Sequence, residues 1–144
     1  MSSAPPLTQF IGRTERTLKT LMDRVLTSTG GTFHQWVALN FTAVNGESID
    51  RPQLIARLTG ALQIDDAAAD AVIAELVAEG LLQTESESAV AFSDAGRERY
   101  ARTRDAIDKT TAPLFADIPA DDEATTRRVL ATIAERADTQ LARA

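Results

Sequence analysis

Asp65, Asp66 and Asp70 place three carboxylates within two helical turns, and Asp121-Asp122-Glu123 places three in a row. Oxygen clusters of this kind can hold hard cations such as calcium or magnesium. Each group also stands at a predicted helix start, where carboxylates cap free amides and face the positive end of the helix dipole. That interaction is worth roughly 0.3–2 kcal/mol per residue. Capping accounts for both groups, so no metal site is expected. His34 is the only histidine and there is no cysteine. One chain therefore holds no histidine pair, no thiolate ligand and no cysteine nucleophile, and a Ser-His-Asp site would need a second subunit. Gly30-Gly31 has no lysine after it and no strand before it, which rules out a phosphate loop. The expectation is a non-enzyme without a cofactor.

The groups left over are suited to binding. Asn40 falls on the helical stripe of Phe33, Trp36, Val37, Phe41 and Val44. A polar group on such a stripe needs a partner, from backbone, water or a ligand. His34 opens the same helix, as a surface or capping residue or as a ligand contact. Arg97, Arg99, Arg102 and Arg104 are interleaved with Glu98, Asp105 and Asp108, the pattern of a solvated face laced by weak ion pairs.

Composition frames these residues. The chain has 144 residues, 44% of them hydrophobic and 25% charged, an ordinary globular mixture of single-domain length. Asp70, Glu75 and Glu79 interrupt the longest apolar run, so no membrane span is expected. MSSAPPLTQF lacks a basic segment followed by an apolar one, and the expected location is the cytoplasm. Net charge is −6, unevenly spread. Residues 1–45 carry four basic and two acidic groups, residues 46–92 two and nine, and residues 93–144 nine and ten. The middle of the chain, at −7, holds nearly all the acidity.

The elements that would position these residues follow from periodicity. Leu7, Phe10, Ile11, Leu18, Leu21, Met22 and Val25 recur at three- and four-residue steps, predicting a helix over 8–27 that stops at Gly30-Gly31. Thr32 caps a second helix, Phe33 to Val44, apolar on most faces and thus central. Asn45-Gly46 is a turn. Asp50-Arg51-Pro52-Gln53 reads as a cap, an early proline and a capping-box glutamine, opening a third helix that ends near Thr59-Gly60. Asp65 caps a fourth, with Ala69, Val72, Ile73, Leu76 and Val77 inward and Gly80 as its stop. Leu82-Thr84 and Val90-Phe92 flank the polar tip Glu85-Ser86-Glu87-Ser88 as a β-hairpin. Ser93 caps a fifth helix that Pro113 should kink or end. Asp121 or Asp122 opens a sixth, striped by Leu130, Ile133, Ala134, Ala137 and Leu141. The fold class is mainly α: a winged helix-turn-helix in the order α-α-α-α-β-β-α-α.

Three stretches carry a family resemblance. Thr32-Phe33-His34-Gln35-Trp36-Val37-Ala38-Leu39 resembles the T-x-x-Q-W-x-x-L opening the second helix of the multiple-antibiotic-resistance-regulator (MarR) family of bacterial transcription factors. Leu76-Val77-Ala78-Glu79-Gly80-Leu81-Leu82 resembles the L-x-x-x-G-L-[IV] between its recognition helix and wing. Val90-Ala91-Phe92-Ser93-Asp94-Ala95-Gly96-Arg97 resembles the V-x-L-T-x-x-G-R that leaves the wing. The resemblance implies one domain over 1–144, with a winged lobe at 32–92 and a helical dimerisation region from 1–31 and 93–144. It further implies a homodimer, double-stranded DNA as partner, and a small aromatic effector held between lobe and dimer body, near His34, Trp36 and Asn40.

This sequence departs from that pattern where DNA would be read. The outward positions of the fourth helix are Asp66, Ala67, Ala68, Asp70, Ala71, Ala74 and Glu75; no ionised side chain among them donates, and three repel phosphate. The wing tip has no base where the family usually carries an aspartate and arginine pair. Thr59 to Leu62 look like about four extra residues between the third and fourth helices. DNA donors would then be Arg51, Gln53 and Arg57 on the third helix and Thr84, Ser86 and Ser88 on the wing. The leading expectation is a dimeric, ligand-responsive, DNA-binding transcriptional regulator. The alternative is a winged-helix dimer that binds protein or ligand without gripping DNA.

Overall fold

The computed structural model describes residues 4–143. Its elements, in chain order, are α1 (Leu7–Thr29), α2 (Phe33–Val44), β1 (Ser48–Asp50), α3 (Arg51–Leu62), α4 (Asp66–Ala78), β2 (Leu82–Thr84), β3 (Ala89–Phe92), α5 (Asp94–Phe115) and α6 (Ala120–Arg143). They form two compact units, one ending at Thr110 and the other beginning at Thr111. No helix among the described residues is long and apolar enough to cross a membrane.

The helix ends follow local chemistry. Gly30, at φ 90°, closes α1 as its amide and that of Gly31 turn back to the carbonyls of Thr27 and Leu26. Gly80, at φ 77°, ends the recognition-helix segment in the same way, with Leu81 bonded back to Leu76. This paired closure needs a left-handed residue, which glycine supplies without a Cβ clash. Thr32 and Gln35 form a reciprocal capping box on α2. Asp65 accepts the Ala68 amide at 2.8 Å and so caps α4.

Three details differ from the sequence expectation. Asp50 stands at the N-cap of α3 but makes no side-chain cap, and no capping box from Gln53 forms. Asp50 instead belongs to β1, whose pairing with β3 fixes its backbone. The helix does not stop at Thr59-Gly60 either. It runs to Leu62 and ends on Gln63, which takes the left-handed conformation at φ 54°. Thr59–Leu62 are therefore the last turn of α3 rather than an inserted loop. Glycine costs a helix interior about 1 kcal/mol, and packing of Leu62 on the core offsets it. Pro113 lies inside α5, which continues to Phe115.

The sheet has the order β1-β3-β2, antiparallel throughout. Leu82 faces Phe92 and Thr84 faces Val90 across the hairpin, while Ile49 faces Val90 on the other side. The core gathers Ala38 and Leu39 of α2, Leu54 and Leu58 of α3, and Ala69, Val72, Ile73 and Leu76 of α4. Ile49, Leu82, Val90 and Phe92 close it from the sheet. The result is a winged helix-turn-helix lobe with α4 as its second helix and the β2–β3 hairpin as its wing.

α5 starts against this lobe at very close range. A Cβ on Gly96 would lie 1.8 Å from the Leu81 carbonyl oxygen. Ser93 accepts the Gly96 amide at 3.0 Å and donates to the Gly80 carbonyl at 2.5 Å. Arg97 then pairs with both Glu47 and Asp94, which raise its pKa, the Glu47 hydrogen bond most of all.

Candidate nucleic-acid interface and ligand cleft

Burial of Ala69, Val72, Ile73 and Leu76 fixes which side of α4 looks outward. That side presents Asp66, Ala67, Ala68, Asp70, Ala71, Ala74 and Glu75, all exposed. It offers three carboxylates and four methyl groups. Major-groove edges are rich in acceptors, and of the base-edge donors a carboxylate suits the cytosine amino group best. By chemistry this is a poor reader of bases.

The cations nearest that helix are already engaged. Arg51 Nε lies 2.9 Å from Asp70 Oδ1, so the first residue of α3 is tied to the exposed face of α4. Its backbone amide donates to the Ser88 carbonyl at 2.5 Å, which joins the start of α3 to the wing. The Arg57 guanidinium lies over the Phe41 ring, 5.9 Å from its centroid. Gln53 is exposed. On the wing, Thr84, Ser86 and Ser88 are exposed as well, and the Ser88 amide donates to Ser86 Oγ at 3.4 Å. Glu85 accepts a hydrogen bond from Ser48. The candidate donors thus share one side of the lobe, with the two arginines partly neutralised or covered.

The second candidate site is built around a residue outside the sequence-derived set. Tyr100 of α5 stacks on Trp36, with ring centroids 5.1 Å apart and planes 14° from parallel. Its hydroxyl donates to Asn40 Oδ1 at 2.9 Å and accepts from Arg104 at 3.0 Å. That bond is the largest influence raising the Arg104 pKa. Asn40 thus finds its partner in a side chain rather than in backbone. His34 is exposed on the opening turn of α2. Beside Trp36, a cavity of about 10 Å³ lies among Gln35, Leu39, Arg99 and Thr103. That is space for one water at most. Arg99 closes it by donating to the Gly30 carbonyl at 3.2 Å.

Sequence reading placed Trp36 and Asn40 on one stripe, but the aromatic that meets them lies 60 residues away from Asn40. Tyr100, the only tyrosine, sits in a helix otherwise rich in charge. That isolation was the available signal. Gln35 was also more than a cap: 6% exposed, it donates to Glu79 at 3.0 Å and ties α2 to the end of α4. Among the described residues no group of three His, Cys, Asp or Glu side chains is placed to hold a metal ion.

No model of a known protein family matches this chain, and no curated protein sequence matches it. Solved structures do. A MarR family transcriptional regulator from Silicibacter pomeroyi is similar at a TM-score of 0.70 and 21% identity, over 91% of this chain and 92% of that one. NadR in complex with 4-hydroxyphenylacetate is similar at 0.71 and 16%, over 93% and 98%. The organohalide-sensing transcriptional regulator RdhR, bound to 2,4-dichlorophenol, is similar at 0.74 and 12%, over 90% and 78%. With its lobe, wing and flanking helices in the same order, this chain has the winged-helix fold of MarR-type transcriptional regulators.

Proposed function

We propose that the chain is a dimeric, DNA-binding transcriptional regulator of MarR type, working as one domain over residues 1–144. The observation that carries this reading is the likeness to regulators across nearly the whole chain, flanking helices included. The winged lobe spans 32–92, and residues 1–31 and 93–144 supply the dimerisation region. Arg51, Gln53 and Arg57 at α3, with Thr84, Ser86 and Ser88 on the wing, are the donors toward DNA. Binding to generic duplex is weak, because a middle segment with two basic and nine acidic groups opposes phosphate. The protein works in the cytoplasm and catalyses no reaction.

The effector is a small aromatic acid or phenol that enters beside Trp36 and Asn40, near His34, and displaces the Tyr100 ring. Two of the similar structures hold such compounds, 4-hydroxyphenylacetate in NadR and 2,4-dichlorophenol in RdhR. The test is selection of duplexes from a random library at low salt, followed by titration of the selected sequence. A selected duplex that binds far more tightly than random DNA supports the regulator. Failure to enrich any sequence overturns it. The Arg51–Asp70 pair favours a second reading, a winged-helix dimer that binds protein or ligand without gripping DNA.

A further inference from the structure

One groove of the lobe lies apart from the Trp36 cleft. It encloses about 400 Å³ between the first turns of α3, the first residue of α4 and the wing tip. Pro52, Ile55 and Ala56 make its apolar part, and Asp66, Glu87 and Ser88 its polar part. The size is that of a pocket for one or two large side chains.

The charges in this groove are unbalanced. Arg51, the one cation lining it, is already paired with Asp70. Asp66 and Glu87 are exposed, and neither has a hydrogen-bond or ion-pair partner among the described residues. The walls are held in place by the bond from the Arg51 amide to Ser88 and by the β1–β3 pairing that precedes it. A preformed apolar trough therefore carries two unanswered carboxylates, in a segment whose net charge is −7.

We propose that this groove docks a lysine- or arginine-bearing segment of a partner protein. Long cationic side chains have the matching anatomy, an aliphatic stem that packs on Pro52, Ile55 and Ala56 and a charged head for Asp66 and Glu87. The acidic field of the lobe would speed encounter with such a segment and repel anionic competitors. DNA fits poorly, since its phosphates would approach both carboxylates. The proposal rests on one lobe and goes beyond the regulator reading, so it stands or falls without a dimer or an operator.

The test uses the full chain, nitrogen-15 labelled, titrated with a short synthetic peptide in which lysine and leucine alternate. Saturable shifts at the amides of Ile55, Ala56 and Ser88 are expected. Asp66→Asn combined with Glu87→Gln should weaken the peptide about tenfold, the scale of one lost charge contact. Ala56→Trp fills the apolar part from an exposed position and should remove binding while circular dichroism stays unchanged. A glutamate-leucine peptide and spermidine should leave these amides unmoved. No saturable shift up to millimolar peptide overturns the proposal, as does unchanged affinity in either variant. Spermidine binding as tightly as the peptide would make charge alone sufficient and also overturn it. So would random duplex DNA that shifts the same amides at lower concentration.

Discussion

Tyr100 shows how one side chain can decide what a cleft does. It stacks on Trp36, bonds Asn40 and receives Arg104, so the space between α2 and α5 is filled from within. An incoming aromatic must take the place of this phenol. Tyr100→Phe should cost about 0.5–1.5 kcal/mol in urea unfolding, one hydrogen bond with its acceptor left half-buried. Tyr100→Ala should cost about 3 kcal/mol through lost packing, and 4-methylphenol should return part of it while changing Trp36 emission. Salicylate should likewise shift Trp36 emission more in Tyr100→Ala than in the parent protein. If neither compound alters emission or melting temperature in that variant, the effector site lies elsewhere. The α4 carboxylates make a second residue-scale case. Asp66→Asn with Asp70→Asn removes two anions and frees Arg51 from its pair. Non-specific duplex binding should strengthen and its salt dependence steepen, since more phosphates are neutralised. The stability loss should stay near 1 kcal/mol, because the ion pair is half-exposed and Asp66 contributes only a dipole contact. Unchanged DNA affinity would show that α4 never approaches phosphate.

At the scale of elements, the stretches that made the resemblance legible turn out to serve the fold. Thr32 and Gln35 form the capping box, and Gln35 also holds Glu79. Gly80 closes α4 in the left-handed region, and Leu81 and Leu82 pass straight into the core. Ser93 caps α5, and Gly96 permits its approach to Leu81. Gly96→Ala should therefore destabilise by about 3 kcal/mol despite alanine's better helix propensity, because the clash is with backbone that cannot rotate away. A neutral result in urea unfolding would mean that α5 is not seated this closely. Other elements were not legible in sequence. β1 has one inward residue, Ile49, so it carries no alternation, and its strand character comes from pairing with β3. The end of α3 was misplaced because Gly60 looks like a stop, while Leu62 supplies packing that only the tertiary core reveals. Tyr100 escaped for the same reason: its partners come from α2 and β3, and no local pattern joins them.

The whole molecule leaves apolar surface that the lobe cannot use. On α1, Leu7, Phe10 and Leu18 are 59%, 48% and 43% exposed. No residue of α6 is buried, and Val129, Leu130 and Leu141 are 40%, 43% and 72% exposed. Soluble monomers rarely show contiguous apolar patches beyond a few hundred Å². Two long helices with open stripes supply the surface that a symmetric dimer needs, since a two-fold axis lets one stripe meet its own copy. We therefore expect light scattering at micromolar concentration to give twice the chain mass. Phe10→Glu with Leu130→Glu should give a monomer whose lobe still melts cooperatively, as both positions lie outside the core cluster. The monomer should also separate the two modes of recognition. A duplex read by two lobes presents paired half-sites, and a single lobe forfeits half the contacts and the register between them. Loss of selected-duplex binding in the monomer, with lysine-leucine peptide binding retained, would place DNA recognition in the dimer and peptide recognition in the lobe. A parent protein that is monomeric at these concentrations would sink the dimer, and with it any two-lobed grip on DNA.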